Sequence, residues 1–260
     1  MAAILSTNMA SLYAQKNLST AQASLSESVQ RLSSGTRINS AKDDAAGYGI
    51  AESVRGTKNI VDQNIRNAKD GISWAQTAEG ALDVVGKILQ RSLTLATQKL
   101  DLTLNTAQTD SINAELDFLD DEITNIETRT KFQATDSIFT TATLDVETGS
   151  AAGDATITLE ANIIATGGLS TIDVADIETL IAENATNRGL LGSGINALEY
   201  AVDNMQTMST NLADGISRIV DTDYAAETSN LTRTQILQQA ATSMLAQANQ
   251  MPNVILTLLK

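Results

Sequence analysis

By type and spacing, the residues of this chain best suited to chemistry are two carboxylate clusters, Asp43-Asp44 and Asp120-Asp121-Glu122. Grouped carboxylates hold a divalent cation when a glycine-turned loop offers alternating oxygen ligands. Neither cluster has such a loop, so both read as solvated helix faces, and nothing marks a pocket around them for acid-base work. Ser92 and Ser209 are helix residues with no base in view along the chain. Gly35, Gly47 and Gly49 surround a helix opening but lack the GK[ST] of a phosphate loop. Met205, Met208, Met244 and Met251 recur at helical spacing, which suits core filling rather than a ligand set. The chain has no Cys and no His. That excludes thiol and imidazole nucleophiles, the usual zinc sites and histidine acid-base catalysis. The sequence points to a structural subunit rather than an enzyme, with no metal and no cofactor.

The elements that carry these residues follow from composition and period. Of 260 residues, 42% are hydrophobic, yet only 3 Phe, 1 Trp, 4 Tyr and 1 Pro occur. Such a chain packs long helices through Ala, Leu, Ile and Val. Net charge is −14. Residues 1–40 carry Lys16, Arg31 and Arg37 against Glu27, and residues 221–260 carry Arg233 and Lys260 against Asp221, Asp223 and Glu227, so the acidity lies in the middle. Nearly neutral ends suit dense burial, because like charges brought together repel. Nucleic acid is an unsuitable partner, since no basic face interleaved with aromatics is present. The start lacks a basic n-region and an apolar signal-peptide core, and no 18-residue apolar run occurs, so neither Sec export nor membrane insertion is indicated. Absence of Cys fits export in an unfolded state as well as a reducing cytosol.

Leu18, Leu25 and Leu32, with Ala14, Ala21 and Val29 between them, form a heptad-like stripe that stops at Ser33-Ser34-Gly35. Ser40 followed by Asp43 reads as a capping box that opens a second helix. From Ile50 to Leu100 the apolar period predicts a helix of about fifty residues, roughly 75 Å long, which needs partners along its length. Partners follow at Ile112 to Ile126 and at Ile195 to Ile219, stepping by three and four. The last segment continues the rule at Leu237, Ala241, Met244, Ala248, Met251, Ile255 and Leu258, with Pro252 expected to bend or weaken its end. Between the helices, residues 139–169 turn rich in Thr and Gly. Thr143 to Glu147 and Thr156 to Glu160 are read as a β-hairpin around Ala151-Ala152-Gly153-Asp154. The fold class is therefore mainly α: a long antiparallel helical bundle and coiled coil with a small β-hairpin.

RLSSGTRINSAKDDAAGYGIAESV at Arg31 to Val54 and NAKDGISWAQTAEGAL at Asn67 to Leu82 resemble the amino-terminal signature of bacterial flagellins. SRIVDTDYAAETSNLTRTQILQQAATSMLAQANQMPNVILTLLK, from Ser217 to Lys260, resembles the carboxy-terminal signature. The resemblance covers about residues 1–135 and 175–260, in the expected order. It implies a secreted, extracellular filament subunit used in swimming motility. Residues 1–42 and 221–260 would pair as the inner filament core, and residues 43–220 would form an outer helical bundle that includes the β-hairpin. The polymerisation core would comprise Leu18, Leu25, Leu32, Leu237, Ala241, Met244, Ala248, Met251, Ile255 and Leu258. Only about forty residues separate the two signatures, so this looks like a minimal flagellin without large outer variable domains.

The resemblance also implies partners: copies of itself in a helical homopolymer, the flagellar type III export apparatus, an export chaperone, the filament cap and hook-associated proteins. Flagellins often carry LQRVRELAVQ where a Toll-like receptor contacts them. Here Leu89 to Gln98 reads LQRSLTLATQ. Leu89, Gln90 and Arg91 match, Glu115 matches a further acidic contact, and an Arg-Glu pair has become Leu93-Thr94, which implies weakened recognition. Alternative readings are a hook-filament junction protein and a secreted coiled-coil effector.

Overall fold

A computed structural model describes residues 8–133, 137–141, 143–151, 153 and 155–258. Its elements in chain order are α1 (Met9–Ser34), α2 (Ala45–Lys99), α3 (Thr106–Arg129), α4 (Ile138–Thr141), β1 (Thr143–Glu147), β2 (Thr156–Glu160), α5 (Val174–Val220) and α6 (Tyr224–Leu258). The chain is mainly α, with one two-stranded sheet among the described residues. It divides into two compact units, Gly56–Leu212 and the combination of Met1–Arg55 with Ala213–Lys260.

In the unit built from the chain ends, α1 and α6 run antiparallel. The Asn8 side-chain amide donates to the Ala248 carbonyl at 2.8 Å near one end, and Arg31 lies 3.8 Å from Glu227 near the other. Asn8 also caps α1, accepting from the Ser11 amide, which satisfies a donor that the first turn leaves free. Gly35 closes α1 at φ 72, a left-handed conformation that a side chain disfavours, and its N–H donates to the Arg31 carbonyl at 2.9 Å. Thr36 then pairs with Asp221 as an isolated antiparallel bridge. The Arg37 amide donates to the Val220 carbonyl at 2.6 Å, and its guanidinium to the Ile219 carbonyl at 2.5 Å. A cation on the last carbonyls of α5 also opposes the negative end of that helix dipole.

The cap of α2 differs from the sequence expectation. Asp43 accepts from the Asn39 and Ser40 amides and the Ser40 hydroxyl, which makes a local turn. Asp44 is the residue that receives the free amides of α2, from Ala46 at 3.1 Å and Gly47 at 2.9 Å. Helix α6 runs through Pro252 to Leu258.

The Gly56–Leu212 unit holds two apolar cores. In one, Val61, Ala68, Ala75 and Leu82 of α2 meet Leu191, Leu198 and Met205 of α5, with Val146 and Leu159 of the hairpin. In the other, Val85, Leu89 and Ala96 meet Ile112, Leu116 and Ile123 of α3 and Leu169 and Ile177. The two strands occupy the residues read from sequence, paired Thr143↔Glu160 through Glu147↔Thr156. Ala152 and Asp154 of the expected turn lie outside the described residues. Alternation turns Val146 and Leu159 inward, while Thr158 donates to Asp145 across the other face at 2.6 Å. The hairpin sits close to the helices because Gly71 offers no side chain: a Cβ there would lie 2.8 Å from Val146 Cγ2 and 3.4 Å from Leu198 Cδ1.

These glycines separate two opposing effects. Alanine is favoured over glycine in a helix by about 1 kcal/mol, yet at position 71 it meets a β-branched neighbour that has few rotamers to escape into. Gly71→Ala is expected to destabilise the chain by ~1–3 kcal/mol. Gly80, whose Cβ would meet nothing within 4 Å, should instead gain up to about 1 kcal/mol on the same change. Thermal unfolding followed by circular dichroism distinguishes them, and equal shifts of one sign would refute the packing account.

Candidate functional site

The acidic clusters are engaged locally. Asp120 accepts from the Thr166 hydroxyl and Glu122 pairs with Arg129, while Asp43 and Asp44 serve their turns. Among the described residues, no group of three or more His, Cys, Asp or Glu is arranged to hold a metal ion. Ser92 is fully buried and donates to the Ile88 carbonyl of its own helix at 3.0 Å. Ser209 does have an acidic neighbour that the sequence did not reveal: its hydroxyl donates to Asp62 at 2.7 Å. Lys58 bonds the same carboxylate at 2.6 Å and holds it below the ordinary carboxylate value, with Ser209 adding to the effect. A carboxylate so stabilised is a weak base, and the trio acts as a tie between α2 and α5. Arg188 makes a second tie, reaching Glu79 at 2.6 Å and Asp83 at 3.1 Å. Lys87, and after it Arg188, hold the Asp83 carboxyl below its usual value.

A larger feature lies between α1 and α6, where an open trough of about 850 Å³ is lined by both helices. Helix geometry explains it. On α1 the residues facing α6 are small, with Ala14, Ala21 and Ser28 buried at seven-residue spacing and Leu18, Leu25 and Leu32 half-buried between them. Val29, expected in the stripe, points outward and is exposed. On α6, burial steps by four and three through Glu227, Leu231, Thr234, Gln238, Ala241, Leu245 and Ala248. Of the expected stripe, Ala241 and Ala248 lie in this inward register. Leu237 and Met244 stand 52% and 61% exposed on the trough wall, with Tyr13 of α1 also exposed along it. The side chains of Met251, Ile255 and Leu258 lie outside the described residues. Small residues bring the helix backbones together, and larger apolar ones are left beside the seam without a cover.

The other candidate surface is on α2 and α3. Gln90 is exposed, and Arg91 donates through Nε and Nη2 to one Glu115 oxygen at 2.9 and 2.7 Å. Leu89 is wholly buried in the core, which corrects its expected place at a receptor surface, because an atom without solvent access touches no partner unless the helix moves. Leu93 packs half-buried against the same core, and the Thr94 hydroxyl turns back to the Gln90 carbonyl.

Residues 5–139 match the family model described as the bacterial flagellin N-terminal helical region, and residues 174–259 match the flagellin C-terminal helical region. The chain belongs to the bacterial flagellins. It is a structural subunit of the extracellular flagellar filament. The flagellin of Halalkalibacterium halodurans is 36% identical over 280 residues, covering 99% of this chain and all of that protein. That of Bacillus subtilis is 33% identical, covering 97% and 98% respectively, and that of Xenorhabdus nematophila is 34% identical over an alignment of 316 positions that takes in both chains fully. The crystal structure of Bacillus cereus flagellin is 27% identical and covers 63% of this chain and 93% of that one, with a TM-score of 0.35. Alignments longer than the 260 residues here mean that these relatives carry residues this flagellin lacks, which fits a minimal form. No helix among the described residues is long and apolar enough to cross a membrane.

The depressed carboxyls make stability depend on pH in a definite sense. Asp62 and Asp83 bind protons less readily folded than unfolded. Their contribution is complete above the ordinary carboxylate pKa of about 3.9 and is lost as pH falls through the lower folded values. The melting temperature of this flagellin should therefore drop as pH is lowered from about 5 to about 2, and Asp62→Asn should lower it at neutral pH while flattening the acid limb. Circular dichroism melts across that range check it, and an unchanged acid limb in the variant would contradict the assignment.

Proposed function

We propose that the α1–α6 trough is the surface through which each subunit takes up its neighbours in the filament. The observation that carries this reading is the exposed apolar wall formed by Leu237 and Met244 beside the half-buried Ala241 and the buried Ala248. Burying a Leu or Met side chain is worth ~1.5–3 kcal/mol, and a single chain leaves that gain unused. A neighbour's terminal helix supplies the missing cover. Because a trough on one subunit receives a different surface of the next, the contact is heterologous, and its repetition gives an open helical polymer.

In this reading residues 1–42 and 221–260 form the inner filament core and residues 43–220 the outer bundle. Leu18, Leu25 and Leu32 hold the seam within a subunit, and Met251, Ile255 and Leu258 continue the α6 period towards the chain end. The subunit has no catalytic role, a view supported by the absence of Cys and His and by the weak basicity of the carboxylate beside Ser209. Its further partners are the export apparatus with an export chaperone, the filament cap and the hook-associated proteins. The matched relatives are named as flagellins along nearly their whole length, which disfavours a hook-filament junction protein or a coiled-coil effector.

Leu237 is exposed, so Leu237→Glu should leave the monomer folded yet slow seeded elongation by more than about a hundredfold, since a charge left unpaired on burial costs several kcal/mol. Deleting residues 238–260 should abolish elongation and leave a soluble, helical monomer. Light scattering reads growth in both cases. Filaments of normal length from either variant would remove the trough from the assembly mechanism.

Gln90, Arg91 and Glu115 are proposed as the surface that a flagellin-sensing Toll-like receptor meets, with recognition weakened by Leu93-Thr94. Restoring charge through Leu93→Arg and Thr94→Glu should raise reporter-cell activation, at a stability cost of ~1–3 kcal/mol because Leu93 packs on the core. A folded double variant with the parent's dose response would refute this.

A further inference from the structure

We propose that Met244 is a redox-sensitive modification site whose oxidation to the sulfoxide blocks subunit addition. The proposal rests on the reading of the trough as the subunit contact. Among the methionines whose exposure is defined, Met244 is the most open at 61%, Met9 follows at 50% and Met205 is only 2% exposed, while Met208 is half-buried against the core. Oxidation of methionine follows access of the oxidant to sulfur, so a mild hydroperoxide reaches Met244 well before the core methionines. Met244 also lines the trough together with Leu237, Ala241 and Ala248. These lie seven and three residues before it and four after it, on one face of the helix.

The step is a two-electron oxygen transfer. A lone pair on Met244 Sδ attacks one oxygen of hydrogen peroxide, the S–O bond forms as the O–O bond breaks, and the departing hydroxide takes the proton from the sulfur-bound oxygen and leaves as water. Sulfur is oxidised and the peroxide oxygen is reduced. The product is a polar, chiral sulfoxide in place of a flexible apolar thioether. On the free subunit this group is solvated at little cost. In a covered trough it loses water, and the side-chain donors that line the trough, such as Asn17 and Gln247, would have to turn to it to make up the loss. The change therefore penalises the assembled state and spares the monomer. A dithiol-dependent sulfoxide reductase reverses it, forming a disulfide in the reductant and releasing the oxygen as water. The chain itself has no Cys to perform that reduction. Once a subunit is incorporated, the same burial shields the sulfur, so sensitivity belongs to subunits awaiting addition.

The test treats full-length monomers and preformed filaments with dilute hydrogen peroxide, quenches with catalase, maps sulfoxides by peptide mass spectrometry and follows seeded elongation by light scattering. Met244 should oxidise ahead of Met205 and Met208 in monomers and be protected in filaments. Elongation of oxidised monomers should slow by about tenfold and return after enzymatic reduction, whereas for Met244→Leu the ratio of the peroxide-treated rate to that variant's own untreated rate should stay near one. Circular dichroism and the fluorescence of Trp74 establish that the oxidised monomer remains folded. The proposal is overturned if Met244→Leu is inhibited as strongly as the parent, or if parent monomers fully oxidised at Met244 elongate at the untreated rate. Leu237→Glu separates the two layers of argument. If it too elongates normally, the trough is not the contact; if it is blocked while the sulfoxide is harmless, only the redox inference fails.

Discussion

Two helices in contact can each bury only one stripe, and this limit governs the ends of the chain. Along their shared seam α1 and α6 bury small or polar side chains such as Ala14, Ala21, Ser28 and Ala248, which allow close approach but remove little apolar area from water, and cover Leu18, Leu25, Leu231 and Leu245 only in part. Leu12, Tyr13, Leu237 and Met244 are left in solvent. The conformational entropy of ordering some thirty residues per helix is large, at ~1–2 kcal/mol per residue for backbone alone. Surface that a partner covers must supply much of the offset.

The Gly56–Leu212 unit obeys the opposite rule. Its helices have two or more neighbours, and Leu82, Leu89, Leu116, Leu191 and Leu198 are closed off from solvent. The hairpin contributes Val146 and Leu159 to that closure and is anchored by the buried Asn64 amide, which donates to the Gly149 carbonyl at 2.9 Å. Asp62 with Ser209, and Glu79 with Arg188, tie α2 and α5 in one antiparallel register. Such partly exposed pairs contribute little energy individually. Their effect is to disfavour a slip by one helical turn, which an Ala- and Leu-rich seam would otherwise tolerate. This unit also carries most of the chain's acidity, which a solvated face accommodates and a crowded contact would not.

Much of this was legible in the sequence, and the misses share a cause. The strands Thr143–Glu147 and Thr156–Glu160 were found because alternation of β-branched residues has only one good reading there. The length of α2 followed from unbroken apolar periodicity. Ser40 and Asp43 satisfy the spacing of a capping box, but spacing does not tell which of two adjacent aspartates faces the free amides, and Asp44 is the one that does. The resemblance places Leu89 at a surface, whereas its period places it in the core, where it is buried. The Ser209–Asp62 contact spans 147 positions and leaves no local signal. Val29 was expected inside because it is apolar, whereas Ser28 is the residue at the right angle.

Helix α6 shows the limit of periodicity most clearly. Two registers with the same alternation of four and three run along it and share Ala241 and Ala248. Hydrophobicity selects the register of Leu237 and Met244, while the fold of one chain buries that of Leu231, Gln238 and Leu245. A pattern of apolar residues records every face that is buried in the working state, within a subunit or between subunits, and carries no label to separate them. When the apolar register and the intramolecular register disagree by a fraction of a turn, the helix has a face left over. On the proposed reading of the trough, that remainder is the information about assembly. It accounts for Leu237 and Met244 sitting where a monomer gains least from them, beside a seam that Leu231, Leu245 and Ala248 already fill.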